Sequence, residues 1–248
     1  MRLTLATAFA VLATVAVAQN APRAPKPYMA VAITPAKAFA DPGFAAFRKA
    51  IGAAAKTRLY GDLEALVQAQ GFFWDRDFGR GYDPRRPSAD NLAAAIGLER
   101  RDGAGWNMLA VLATEDAVEP LDSRPGVVCA PARPGYDSIE FSKLLDKTYT
   151  GEVDWAYPRA GETPVLAAPQ AGAPAVGTLG LQFVRLLGFE GPESDVPGRN
   201  QWAHVALPDG KTGYAAPGSL MSLTPDRLCY IKDLVVGWRI AGFVAGGN

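Results

Sequence analysis

Histidine is almost missing from this chain of 248 residues: His204 stands alone, and only two cysteines accompany it. A zinc centre ordinarily draws four ligands from those residue types, so no metal is expected. Charge of either sign in excess is missing too. The 25 basic side chains are matched by 25 acidic ones, which removes the basic footprint of a dedicated nucleic-acid or anionic-membrane binder. There is no Gly-x-x-x-x-Gly-Lys, no Gly-x-Gly-x-x-Gly opening a helix and no Gly-x-Ser-x-Gly, so no cofactor is expected and no nucleophile announces itself. Internal repeats are not visible.

What is present is apolar content, 49% of residues, enough for one large domain or two small ones. Twenty prolines and 26 glycines add many turns. Met1-Arg2 followed by an apolar run over residues 3–17 and the small-x-small triplet Ala16-Val17-Ala18 has the form of a secretory leader cut after Ala18. The run is shorter than the roughly 20 residues that span a bilayer. The expectation is therefore an exported protein, periplasmic or secreted, with no stable membrane insertion after cleavage. Residues 19–40, with Pro22, Pro25, Pro27 and Pro35, read as a proline-rich linker in which 28–33 could form a short strand.

Periodicity then divides the chain. Over residues 41–155 it is helical. Asp41-Pro42 supplies an N-cap acceptor and a first-turn proline, and Phe44, Phe47, Ile51 and Ala55 follow on one face. Further helices are predicted over 62–70, after Ser88, around Trp106 to Ala113, and after Asp137 or Ser138 with Phe141, Leu144 and Leu145 inward. Over residues 156–248 short apolar runs alternate with turns, predicting strands at 165–167, 175–179, 183–187, 202–207, 213–216, 228–232 and 237–244. In the last, Val236, Trp238, Ile240 and Val244 are expected on one side, with Arg239, Ala241 and Phe243 on the other. The fold class predicted is α+β: a mainly helical N-terminal domain, then a small β-barrel with an extra C-terminal β-hairpin.

Within the second half, Val165 to Pro169, Ala175-Val176-Gly177-Thr178-Leu179, Phe183-Val184-Arg185-Leu186-Leu187, Trp202-Ala203-His204-Val205, Gly210-Lys211-Thr212-Gly213-Tyr214 and Gly218-Ser219-Leu220 follow one another. In order and spacing this resembles the bacterial SH3 domain family across residues 164–223, with Tyr214 where that family usually has a tryptophan and a long insertion at 188–200. The resemblance implies an SH3-like barrel that binds a protein partner or cell-wall peptide. Strand alternation turns Trp202 and His204 outward, and with Tyr214 they form the candidate binding surface.

Cys129 and Cys229, an even pair in an exported chain, are read as one disulfide clamping the two halves together. A cysteine hydrolase using His204 as base is disfavoured, because Cys129 lies in a Gly/Pro-rich extended stretch rather than at a helix start. Asp75 and Asp77 beside Trp74 raise a carboxylate pair for glycoside hydrolysis, with Arg76, Arg80, Arg85 and Arg86 nearby as ion-pair partners or caps. Phe72-Phe73-Trp74 also suits a small-ligand pocket built from helices on a curved sheet. The function predicted is non-catalytic binding in the bacterial envelope, ahead of either a carboxylate-dependent cell-wall hydrolase or such a pocket protein.

Overall fold

The computed structural model describes residues 25–77, 79, 81–191 and 200–247. The predicted leader and the centre of the 188–200 insertion lie outside them. In chain order the elements are β1 (Ile33–Thr34), α1 (Pro42–Thr57), α2 (Tyr60–Glu64), β2 (Phe73–Asp75), α3 (Ser88–Ile96), α4 (Ala104–Leu112), β3 (Glu119–Pro120), β4 (Val127–Ala130), β5 (Gly135–Tyr136) and α5 (Ser138–Thr148). There follow β6 (Trp155–Pro158), β7 (Thr163–Leu166), β8 (Ala175–Leu179), β9 (Val184–Glu190), β10 (Trp202–Ala206), β11 (Thr212–Ala215), β12 (Leu220–Ser222), β13 (Arg227–Asp233) and β14 (Gly237–Val244).

Local chemistry accounts for the starts of α1 and α5. Asp41 caps α1, its carboxylate accepting from the Phe44 N–H at 3.0 Å, and Phe44, Phe47, Ile51, Ala54 and Ala55 are buried along one stripe. Asp137 caps α5 in the same way through the Ile139 and Glu140 N–H groups. The predicted second helix stops at Glu64 instead of continuing to residue 70. Its continuation is captured by a sheet: the Ile240 N–H donates to the Leu66 carbonyl, and the Gln68 N–H donates to the Ile240 carbonyl.

The mainly helical N-terminal domain is overturned. The described residues are mostly β, with sheets of two, seven and five strands. The five-stranded sheet runs β2-β14-β13-β4-β3, so the C-terminal hairpin is no appendage of the second half; it forms the centre of the sheet on which α1 to α4 pack. Leu63, Leu92, Leu109, Leu228, Tyr230 and Ile240 fill the space between those helices and the sheet without solvent exposure. Local periodicity could not show this, because β13 and β14, which β4 and β2 join, lie about a hundred residues or more further along the chain.

The predicted alternation in β14 is also corrected. Cys229 pairs with Gly242 but Tyr230 pairs with Ile240, leaving Ala241 as an extra residue in a bulge. Beyond it the phase reverses. Phe243 joins Trp238 and Ile240 on the helical side, while Val244 joins Ala241 and the two cysteines on the other. Gly242 permits this, since a side chain there would collide with the Phe73 ring.

The seven-stranded sheet is antiparallel throughout, in the order β12-β6-β9-β10-β11-β7-β8. Its inner face is packed by Val165, Leu179, Val184, Ala203, Val205, Leu207 and Ala215. A further core seats α5 against it through Phe141, Leu144, Trp155, Tyr157 and Phe183, joined by Val31 and Ile33 from the proline-rich segment. That segment is docked over residues 28–34. Tyr28 donates its hydroxyl to the Ala206 carbonyl at 2.8 Å, Phe183 N–H donates to the Val31 carbonyl, and β1 pairs with β5.

The chain thus leaves the five-stranded sheet after β4, builds α5 and the seven-stranded sheet, and re-enters at β13. Cys129 and Cys229 face each other in register across β4 and β13 and are bonded, with both residues fully buried. The expected clamp between a helical half and a barrel half is therefore corrected: the bond lies inside one sheet, at the neck where the inserted unit departs and returns. Such a bond suggests an oxidising compartment, and among the described residues no helix is long and apolar enough to cross a membrane.

Candidate functional site

Strand β10 carries Trp202 and His204 on one face and Ala203 and Val205 on the other, the latter two buried in the inner core. Opposite His204 in β11 stands Tyr214, and opposite Tyr214 in β7 stands Leu166. The three predicted residues therefore do share one face, all half-buried. The His204 and Tyr214 rings stack at 4.8 Å between centroids with planes 17° apart. On its other side His204 pairs with Gly188, which presents no side chain, and the β9 register shifts there because Leu187 is an extra residue.

Glu190, paired with Trp202, reaches across this face to accept the Tyr214 hydroxyl at 2.7 Å. The hydrogen bond to that carboxylate holds the proton on Tyr214 and raises its hydroxyl above the ordinary range, with desolvation and the nearby negative charge adding to it. Sequence reasoning missed Glu190. It sits at the edge of the insertion, where no motif marks it, and only the successive pairing of β9 with β10 and β10 with β11 brings it to Tyr214, 24 residues further on. The site can offer two stacked ring planes, an indole and one hydrogen-bonded carboxylate.

The remaining candidates are dispersed. Asp75 pairs with Arg124 at 3.3 Å, and Arg124 lies over the Phe73 ring at 4.0 Å. Asp77 accepts the Gly79 N–H within a local turn. Trp74, Phe72 and Phe73 are buried, packed on the two sides of the five-stranded sheet. Cys129 and Cys229 hold no thiol while bonded. Among the described residues no group of three or more His, Cys, Asp or Glu side chains is gathered as a metal site would require.

A separate groove of about 650 Å³ runs between the docked segment and α5, lined among others by Tyr28, Val31, Leu144, Lys147, Tyr149 and Arg185. None of Trp202, His204 or Tyr214 lines it. No family model, curated protein or solved structure matches the chain.

Proposed function

We propose that this chain is an exported binding protein of the bacterial envelope, periplasmic or secreted, without catalytic activity of its own. Residues 164–223 are read as the SH3-like part, and the face bearing Trp202, His204 and Tyr214 holds a cell-wall peptide or an extended segment of a protein partner. The observation that carries the reading is the stacked His204–Tyr214 pair, fixed in register across two strands and braced by Glu190. Aromatic side chains held on a rigid sheet give contact area at small entropic cost, which is why such residues dominate binding hot spots. Ring faces beside a carboxylate suit a peptide that carries an ammonium group.

The test is retention of purified protein on isolated cell-wall material and on envelope extract. Changing Trp202 and Tyr214 together to alanine should reduce retention about tenfold or more, as expected when two anchors of a small interface are truncated. Glu190→Gln should weaken retention less. Undiminished retention of the double variant would discard the site.

A further inference from the structure

The hairpin between β13 and β14 turns through three residues, Leu234, Val235 and Val236, closed by the Asp233–Gly237 pair. Gly237, where the second strand resumes, has φ of 75°, a left-handed conformation that favours glycine. Turn chemistry favours polar residues at such positions. Here all three are apolar and outside the core: Leu234 is 102% exposed, Val235 91% and Val236 53%. Their conformation is nonetheless fixed, because the Asp233 carboxylate accepts the N–H groups of Val235 at 2.7 Å and Val236 at 2.9 Å. Nothing in the packing of the fold calls for this composition.

We propose that this tip inserts reversibly into the surface of a lipid bilayer, as a peripheral apolar anchor. Its size argues against a stable protein interface, which needs about 800 Å² from each partner. Three side chains on a convex turn fall well short of that, yet a fluid bilayer conforms around a protrusion. Backbone donors that enter the interface are costly when unpaired, and two of them are already satisfied by Asp233. The base is rigid: Phe39, Phe44 and Trp238 meet edge to face beneath the hairpin.

The charges around the tip cancel. Within the hairpin, Lys232 is paired with Asp41 at 2.8 Å, and the other two charged residues, Asp233 and Arg239, are of opposite sign. The attraction is therefore apolar rather than electrostatic, in keeping with a chain that carries no basic surplus. Long Lys and Arg side chains at the base can keep their charged ends at the headgroups while the tip is submerged.

Flotation of the purified protein with phosphatidylcholine vesicles tests this, at low and high salt and with or without phosphatidylglycerol. The wild type should float in every condition. Leu234→Asp combined with Val235→Asp should reduce the floated fraction about tenfold or more, since each buried aliphatic side chain contributes about a decade of partition, while leaving the thermal melt unchanged. A Val235→Trp variant should show a blue shift of its added emission on mixing with vesicles. Failure of the wild type to float, equal flotation of the aspartate variant, dependence on phosphatidylglycerol or low salt, or an unshifted Val235→Trp emission would each overturn the proposal. Tip-dependent capture of an envelope protein without vesicle binding would overturn it in favour of a protein occupant. Loss of cell-wall retention on changing Trp202 and Tyr214 is a separate result, since those residues lie in the other sheet.

Discussion

Asp41 does two jobs with one carboxylate. One oxygen caps α1 through the Phe44 N–H, and the other accepts from the Lys232 ammonium at 2.8 Å, tying the first helix to the last hairpin. The Lys232 contact first, then the backbone N–H, hold its carboxyl down at about 2. Because the folded value lies below the ordinary carboxylate value of about 4, the associated stability is complete above that pH and is lost as pH falls through about 2. Denaturant midpoints measured from pH 4 to pH 2 should therefore fall more steeply for the wild type than for Asp41→Asn, which retains a capping oxygen without the charge. Equal slopes would count against the linkage. At Gly242 the issue is space. Alanine there places a methyl group against the Phe73 ring, and a loss of about 1–3 kcal/mol in equilibrium unfolding is expected from such overpacking.

Elements that draw their signal from adjacent residues were legible. The Asp41-Pro42 start, the Asp137 start and the strands at 175–179 and 237–244 all occur where local chemistry puts them. The second helix and the phase of β14 were not, because pairing of Leu66 and Gln68 with Ile240 and the bulge at Ala241 are imposed by distant strands. The disulfide belongs at this scale. Its pairing was readable from cysteine count, but its location inside one sheet was not. Since it closes a separation of 100 residues at the root of the inserted unit, replacing both cysteines by alanine should cost about 2–5 kcal/mol in the unfolding free energy. The strand pairing of β4 with β13 remains in that variant, so the native far-ultraviolet spectrum should be retained below the lowered transition. A shift too small to detect would remove the neck bond from the account of stability.

For the molecule as a whole, the proline-rich segment before α1 acts as a strap. Tyr28 lies edge-on to Trp155 at 5.0 Å, and burial raises its hydroxyl above the ordinary range while that hydroxyl donates to Ala206. The strap thereby joins the seven-stranded sheet to the chain that enters the first helix. Arg159 and Glu115, paired at 3.0 Å, join the inserted unit to the end of α4 as well. The same hydroxyl also accepts from the Arg185 N–H at 3.4 Å, so Tyr28→Phe should lower stability by about 1–3 kcal/mol, the worth of two hydrogen bonds. Removing everything before Pro35 should cost several times more, because Val31 and Ile33 leave the core with it. Comparable melts for the truncated and full chains would show that the strap carries no load.

Composition and local pattern settled the apolar budget of this chain, the starts of α1 and α5, the cysteine pairing and the outward aspect of Trp202, His204 and Tyr214. Each follows from neighbours within a few residues, where capping and strand alternation operate. Tertiary structure alone decided that the last hairpin completes the first sheet, that Glu190 meets Tyr214, and that Leu234 to Val236 are left uncovered. Those outcomes depend on which distant strands exchange hydrogen bonds, and a strand's backbone pairs equally well whatever its separation along the chain.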